Sequence, residues 1–364
     1  MMDMRQTRIS VAAVSFLLLC VGVVMIYSAS AINAYETIGD SAYYLKRHLV
    51  YMLIGFIGTF AVMRLDYQLL SRWAKPLLLC AVALLIVLLL PGISREIGGA
   101  RRWFRLGGLS FQPSEFAKLA MLVYTADFIA RRKTRLHSFR QGFLPLLSVL
   151  LLVSGCILLQ PDLGTVVAVS LVFFVLCFIG GVRPTHMALV ALAALPALYV
   201  LIFKVAYRRS RILAFLNPWE DPQGIGFQII QSLVAFGSGG WLGTGLGQGK
   251  QKLLYLPAAY TDFIFSIIGE ELGFIGTASI VLLVMVLLIQ GARISLRARD
   301  TFGQLLSFGL VSSLIIEAMI NIGVVTSIFP TKGLPFPFIS YGGTSLVFNM
   351  IYVGLILNVG RKSS

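Results

Sequence analysis

Charged side chains that could do chemistry lie beside strongly apolar segments at several places in this sequence. The first place holds Glu115 and Lys118, which are three residues apart and follow the turn sequence Phe111-Gln112-Pro113. Proline suits the first turn of a helix, and residues three apart share a helix face, so these two side chains could form an ion pair. A structural ion pair is the alternative to a functional role, but charges at membrane depth favour function.

Two isolated aspartates occupy the ends of other apolar segments. Asp162 lies in the short connection at residues 160–165, where it could cap the following helix or belong to a site. Asp262 lies at the start of the longest apolar segment, where a helix cap is again the alternative. Glu270 follows eight residues later. That is about 12 Å along a helix, beyond the ~5 to 9.5 Å between paired glycosidase carboxylates, so we expect Asp262 to work without Glu270 as its partner.

Residues 333–345 form the last unusual segment. They combine Pro335 and Pro337 with the pair Gly342-Gly343, and they include Ser340. This composition predicts non-helical backbone at membrane depth, which is tolerated where it is buried in protein or lines a wet cavity. An ordinary proline-rich turn is the alternative.

The elements that must position these residues are membrane-spanning helices. The 364 residues are 58% hydrophobic and only 12% charged, and their mean hydropathy is +0.88. Such a composition is typical of a chain embedded in a bilayer. We therefore predict an all-α polytopic membrane protein of about ten transmembrane helices, with residues 1–364 as a single integral membrane domain. The predicted spans are residues 9–30, 48–64, 75–91, 113–130, 144–160, 164–181, 185–204, 262–290, 302–327 and 340–360.

Basic residues in the short loops set the predicted orientation. They lie on one side together with both termini, and this pattern marks the cytoplasmic side. The apolar run that begins at Ile9 is too long for a cleaved signal peptide, so we interpret it as the first span. Between spans 7 and 8 lies a large extracytoplasmic loop, residues 205–261. It is too long for a mere connector and too apolar for disorder, which predicts a functional loop.

Composition also excludes several classes of function. The formal net charge is +15, but the basic residues are scattered at the ends of apolar stretches, so nucleic acid is not expected as a partner. Anionic lipid head groups or an acidic substrate are expected instead. The cysteines all fall inside apolar runs without metal-ligand or disulfide spacing, so neither zinc nor redox chemistry is predicted. They are Cys20, Cys80, Cys156 and Cys177.

Five motifs in a fixed order give the sequence a resemblance to the RodA, FtsW and SpoVE family. The resemblance spans nearly the whole chain. Residues 252–257 and the Gly-Ala-Arg-Arg-Trp run at 99–103 are more similar to FtsW, the division branch, than to RodA, the elongation branch. The motifs are Arg101-Arg102-Trp103, Phe111-Gln112-Pro113-Ser114-Glu115, Gln160-Pro161-Asp162-Leu163-Gly164-Thr165, Thr261-Asp262-Phe263 with Gly269-Glu270-Glu271-Leu272-Gly273, and Ile339-Ser340-Tyr341-Gly342-Gly343.

The resemblance implies a peptidoglycan glycosyltransferase of the bacterial cytoplasmic membrane that polymerises lipid II. It also implies a class B penicillin-binding protein as the partner transpeptidase, together with other membrane proteins of the division or elongation machinery. Asp262 matches the essential aspartate of the family. The residues on other motif positions that we predict to bind substrate are Arg102, Glu115, Lys118, Asp162 and Ser340.

The chemistry of the residues fits this implication. Joining two lipid-linked sugars needs a base for the acceptor hydroxyl, whereas the leaving pyrophosphate needs charge neutralisation rather than a proton. We expect Asp262 to activate the acceptor 4-hydroxyl, or to hold a divalent cation, Mg²⁺ or Mn²⁺, that does so. We expect Arg102 and Lys118 to stabilise pyrophosphate.

Two functions from other classes remain open. A lipid II flippase or transporter would use the same charges as a translocation path, but transporters need polar residues reachable from both sides, and here they lie on one side. A scaffold that only recruits a synthase would leave the buried charges without a purpose.

Overall fold

The computed structural model describes residues 3–90, 102–253 and 255–362. Within these residues the chain forms twelve α-helices and one β-hairpin. The predicted motif residue Arg101 lies outside the described residues. The helices are α1 Met4–Ile38, α2 Tyr43–Arg64, α3 Gln68–Leu89, α4 Pro113–Arg131, α5 Leu144–Leu158, α6 Leu163–Ile179, α7 Pro184–Phe203, α8 Ala206–Leu216, α9 Phe227–Gly239, α10 Ile264–Leu296, α11 Thr301–Val325 and α12 Gly343–Lys362.

The predicted all-α polytopic membrane fold is confirmed. Each of the ten predicted spans is a helix, and eight helices in the described part of the chain are long and apolar enough to cross a bilayer. Of the other two, α6 has only 17 residues, and α4 carries Glu115, Lys118 and Asp127 within its length. Because α4 is buried along most of its length, these charges face protein rather than lipid.

Some of the helices that pack together are distant in sequence, and others follow one another along the chain. The closest neighbours are α2 with α12, α1 with α10, α10 with α11, and α3 with α4. Unlike the other membrane-spanning helices, α7 has no buried residue. A hairpin of β1 (Phe104–Leu106) and β2 (Leu109–Phe111) leads into α4, and its turn uses Gly107 and Gly108 at positive φ of 52° and 92°.

The predicted loop at residues 205–261 contains α8 and α9, neither of which the sequence analysis anticipated. These helices have 11 and 13 residues. Both are shorter than a membrane span, so hydropathy alone does not mark them.

The loop also forms backbone hydrogen bonds with a helix that is interrupted. α10 is interrupted at Gly273, where φ is 65° and ψ is −164°. The amide of Thr244 donates to the carbonyl of Glu270 at 2.9 Å, and the amide of Phe274 donates to the carbonyl of Gly240 at 2.9 Å. Backbone groups freed by the break are therefore paired with the glycine-rich part of the loop, residues 237–249, as buried polar groups require.

Candidate active site

A pocket of about 260 Å³ lies where the ends of α6, α7 and α11 meet α8 and the start of α10. Its lining includes more cations than carboxylates, so the pocket favours an anionic ligand. We call it the cationic pocket. The charged residues that line it are Arg102, Asp162, Arg208, Arg211, Asp262 and Lys332.

Asp262 lies on a turn immediately before α10. The helix begins at Ile264 and its N-cap residue is Phe263, so the alternative of Asp262 as a helix cap is wrong. The carbonyl of Asp262 accepts a hydrogen bond from Nδ2 of Asn321 at 2.8 Å. A Cβ at Gly333 would lie 2.9 Å from Oδ2 of Asp262. Asn321 thus holds the backbone at Asp262, and glycine at 333 leaves room for the half-buried carboxylate, which lines the pocket.

The surroundings of Asp262 change its acidity. Burial raises the pKa of the Asp262 carboxyl to about 6; Arg211 and Arg102 lower that pKa in part, and Asp162 raises it. A carboxylate with a pKa near 6 is a stronger base than an ordinary aspartate and is still ionised at neutral pH. Asp262 therefore combines the position and the basicity of a general base.

Asp162 caps α6 and also holds a pocket cation. The amide of Thr165 donates to its Oδ1 at 3.2 Å, and the Thr165 hydroxyl donates to its Oδ2 at 2.8 Å. A guanidinium nitrogen of Arg102 lies 3.9 Å from Oδ2 of Asp162, and the same guanidinium donates to the carbonyls of Gln160, at 3.1 Å, and Pro161. Asp162 therefore both caps the helix and orients Arg102. Both side chains line the pocket, and their predicted contact with substrate stays a prediction.

Arg208 and Arg211 line the pocket but escaped the sequence analysis. They are three apart on α8 and share a face, whereas Arg209 between them is exposed and outside the lining. Arg211 donates to the carbonyl of Thr331 at 2.9 Å, and its guanidinium carbon lies 4.5 Å from the centre of the Tyr207 ring. The sequence does contain a pattern that could have identified them. Three arginines in four residues lie on the predicted outer side, although basic residues usually concentrate on the cytoplasmic side.

Lys332 is the third pocket cation that the sequence analysis did not single out. It follows α11 in the non-helical segment and is half-buried. Burial lowers the pKa of its ammonium group. An anion in the pocket would repay part of this desolvation cost.

Glu115 and Lys118 lie outside the pocket lining, inside the helix bundle. The predicted ion pair is confirmed at 2.8 Å, and Lys118 also contacts Glu317 of α11 at 2.7 Å. We call these three residues the buried triad; their exposed fractions are 3%, 6% and 1% in the order Glu115, Lys118, Glu317. Glu115 is close enough to Asp162 for their charges to repel. A direct role of Glu115 and Lys118 in binding substrate stays a prediction.

Ser340 supports the segment that carries Asp262. Its hydroxyl donates to the carbonyl of Thr261 at 2.6 Å and accepts from the amide of Phe336 at 2.8 Å. The predicted non-helical backbone of this region is confirmed, and it is largely buried. Because Ser340 is only 3% exposed and outside the pocket lining, its contacts give it a positioning role. Its predicted contact with substrate stays a prediction.

Glu270 and Glu271 fasten the glycine-rich part of the loop. The Glu270 carboxylate accepts from the amides of Lys250, at 2.7 Å, and Gln251, at 3.2 Å. Glu271 pairs with Lys252 at 2.7 Å and accepts from the hydroxyl of Ser28 at 2.8 Å. Neither glutamate lines the cationic pocket, in agreement with the expectation that Glu270 is not the partner of Asp262.

Comparisons with known proteins agree along the whole chain. The family model described as Cell cycle protein, which covers FtsW, RodA and SpoVE, matches residues 8–364. The probable peptidoglycan glycosyltransferase FtsW of Trichlorobacter lovleyi is 48% identical over 338 residues, which cover 93% of this chain and 89% of that protein. Stage V sporulation protein E of Bacillus subtilis is 45% identical over 350 residues, which cover 96% of each chain.

Solved structures are similar in fold. A chain from a peptidoglycan synthase complex, studied for its coordination of polymerisation and crosslinking, superposes with a TM-score of 0.79 at 31% identity and 97% coverage of each chain. The rod shape determining protein RodA of Thermus thermophilus superposes with a TM-score of 0.71 at 28% identity, covering 97% of this chain and 96% of RodA. The predicted resemblance, with its greater similarity to FtsW, is confirmed. This multi-pass membrane protein belongs to the FtsW, RodA and SpoVE family of peptidoglycan glycosyltransferases.

Proposed function

We propose that this protein polymerises lipid II into glycan strands at the outer face of the bacterial cytoplasmic membrane, with Asp262 as the general base. The observation that carries the proposal is the cationic pocket itself. It places a carboxylate with a raised pKa among four cations that come from three separate segments. A lipid-linked sugar pyrophosphate needs this combination, because one group must accept a proton while others neutralise the leaving group.

Asp262 would act on the acceptor. Its carboxylate accepts the proton of the acceptor 4-hydroxyl as that oxygen attacks the anomeric carbon of the donor. The new glycosidic bond forms as the bond from the anomeric carbon to the pyrophosphate oxygen breaks. Glu270 accepts hydrogen bonds from two backbone amides and lies outside the pocket lining, so Asp262 performs this step without Glu270 as its partner.

The cations would act on the leaving group. Pyrophosphate departs with its electron pair and needs no proton, so donors fixed in advance around it lower the barrier. Arg211 and Arg102 are held by backbone carbonyls at 2.9 and 3.1 Å. Arginine suits this task because its rigid array of N–H donors matches phosphate oxygens. Arg208 and Lys332 complete the cationic wall.

A divalent cation would fit this pocket only together with substrate. In the described part of the chain, no group of three or more His, Cys, Asp or Glu residues could hold a metal ion. Mg²⁺, however, is often held by one or two carboxylates and substrate phosphates. Asp262 could supply such a carboxylate, whereas both oxygens of Asp162 already accept from Thr165. A bound Mg²⁺ or Mn²⁺ would supply additional positive charge for the pyrophosphate.

A class B penicillin-binding protein is the proposed partner transpeptidase. The similar chain in a peptidoglycan synthase complex supports this partner. The proposed orientation places both termini in the cytoplasm and the cationic pocket outside, where lipid-linked sugars are joined. The basic short loops support that orientation.

The decisive test is a gel assay for glycan strands with the full chain, its cognate transpeptidase and lipid II in liposomes. We expect polymer from the wild type and none from Asp262→Asn. Asp221→Asn is the matched control, because Asp221 is an exposed carboxylate in the same loop that accepts from the amide of Gly224. Addition of EDTA, followed by Mg²⁺ or Mn²⁺, tests the divalent cation.

Three outcomes would change the proposal. Polymer from Asp262→Asn at the wild-type rate would remove Asp262 as the base. Polymerisation unaffected by EDTA would exclude the divalent cation. No polymer from a wild-type preparation that binds its partner and moves lipid II across the liposome membrane would replace the glycosyltransferase with a flippase.

A further inference from the structure

A cluster of tyrosines lies beside the segment that carries Asp262 and outside the cationic pocket. Tyr44 of α2 is central: its ring centre is 4.5 Å from that of Tyr260 and 5.2 Å from those of Tyr43 and Tyr341. The rings are tilted or perpendicular to each other. All four side chains are half-buried, so they leave part of their surface open. We call these four residues the tyrosine cluster.

The cluster is joined to the catalytic segment through its backbone. The amide of Tyr341 donates to the carbonyl of Tyr260 at 3.0 Å, and Tyr260 precedes Asp262 by two residues. Arg47 borders the other side. It donates to the Tyr43 hydroxyl at 2.7 Å and to the carbonyl of Gly108 in the β-hairpin. The hairpin begins two residues after Arg102, so it links a contact of the tyrosine cluster to a residue that lines the cationic pocket.

A buried histidine beneath the cluster is the second, independent observation. His48 is 0% exposed, and its ring centre lies 6.5 Å from that of Tyr341. Neither of its ring nitrogens has a hydrogen-bond partner within the part of the chain that the structure describes. A buried polar group left unpaired destabilises the fold, so its presence points to a polar ligand or a functional constraint.

We propose that the tyrosine cluster, with Arg47 and His48, is a saccharide subsite that holds the growing glycan strand next to Asp262; this inference rests on the proposed function. A β-linked pyranose is amphipathic, because its ring faces present C–H groups and its edge presents hydroxyls. Tyrosine matches both parts, with an apolar ring and a polar hydroxyl. Among the described residues, Arg47 is the one cation in contact with the cluster, whereas four cations line the cationic pocket. Sugar rather than pyrophosphate therefore fits the cluster.

In this arrangement two neighbouring regions bind different parts of the substrate. The donor pyrophosphate occupies the cationic pocket, and the sugars of the strand rest on the tyrosines. Holding the strand after each bond would keep it available for the next addition, since binding converts a second encounter into an intramolecular step. The subsite should therefore control strand length more than the formation of the first bond.

The first experiment measures binding without catalysis. Lipid-free, uncrosslinked glycan oligomers are titrated against the full chain in detergent and followed by saturation-transfer NMR. We expect Tyr44→Ala to weaken binding at least tenfold and Tyr35→Ala to leave it unchanged, because Tyr35 is 67% exposed and outside the cluster. Tyr44→Leu fills more of the ring's volume than Ala without supplying an aromatic face, so it replaces Tyr44→Ala if that variant does not fold.

The second experiment measures strand length in the gel assay with lipid II. Tyr44→Ala should give shorter strands than the wild type, whereas Tyr35→Ala should leave strand length unchanged. Unchanged oligomer binding and unchanged strand length in a folded Tyr44 variant would overturn the subsite. The proposed function can fail separately. If the wild type binds oligomers in a Tyr44-dependent way but makes no polymer, the saccharide subsite is supported and the glycosyltransferase activity is refuted.

Discussion

The buried triad and the cationic pocket use the same residue types in opposite ways. In the triad, Lys118 contacts two carboxylates at 2.8 and 2.7 Å. In the pocket, the distance from Arg102 to Asp162 is 3.9 Å, and Asp262 forms no salt bridge with any described residue. Charges that pair closely within protein compensate one another's burial, whereas charges that stay open in a pocket remain available for a ligand.

This difference separates structural charges from catalytic ones. Removing a partner from the triad should damage folding first, because a buried charge is left uncompensated. Removing a charge from the pocket should lower catalytic activity and leave the fold intact. The pocket charges are poorly compensated, as the Asp262 carboxylate shows, so they contribute little to the stability of the folded protein. Measuring activity and thermal stability together on the same variants tests the comparison.

The largest effect is expected for Asp262→Asn. Loss of a general base lowers the rate by about 10²–10⁴-fold, measured as initial polymerisation of lipid II. Because burial raises the pKa of Asp262 to about 6, the ionised carboxylate destabilises the fold at pH 7, so the neutral Asn should not lower the unfolding temperature. A variant that is inactive because it has unfolded would contradict this prediction.

Lys118→Met is expected to cost about 3–5 kcal/mol of unfolding free energy, because Glu115 and Glu317 lose their shared cation. The measurement is thermal or denaturant unfolding in detergent. Lys46→Met is the control, since its ion pair with Asp40 is exposed, and no measurable change is expected. A Lys118→Met protein that is as stable as the wild type but inactive would instead support a direct role of Lys118 in binding pyrophosphate.

Arg211→Gln should lower kcat/KM by roughly 10- to 150-fold. A hydrogen bond to a charged group contributes about 1.5–3 kcal/mol, and this one would be made with the leaving pyrophosphate. Arg209→Gln is the matched control on the same helix, because Arg209 is exposed and outside the pocket lining. Equal losses in the two variants would mean that α8 contributes general positive charge rather than a specific contact.

The smallest effect is expected from pH. Since the base is active as a carboxylate and the pKa of Asp262 is about 6, kcat/KM should fall as pH drops below 6, to about a tenth of its plateau at pH 5. The unfolding temperature, recorded at each pH, separates loss of the base from loss of the fold. A profile that stays flat to pH 5 would exclude Asp262 as the titrating base.

Glu115 and Asp162 show how far local sequence patterns reach. The i, i+3 spacing of Glu115 and Lys118 predicted their ion pair, and the position of Asp162 before an apolar run predicted its cap on α6. Both interactions lie within one helical turn, where spacing fixes geometry. Hydropathy likewise identified every long helix, because a bilayer allows few other structures.

Contacts between residues far apart in the chain could not be predicted from the sequence. Glu317 joins Lys118 across 199 residues. Arg208 and Arg211 of α8 meet Lys332 and Asp262 in one pocket, although Lys332 and Asp262 lie in two other segments. The role of Ser340 as a brace for the chain before Asp262 also appears only in the folded state. The sequence by itself thus determined which motif residues are charged and which apolar segments cross the membrane. The packing of distant helix ends decided which charges pair and which stay open, because distance and burial depend on the folded chain as a whole.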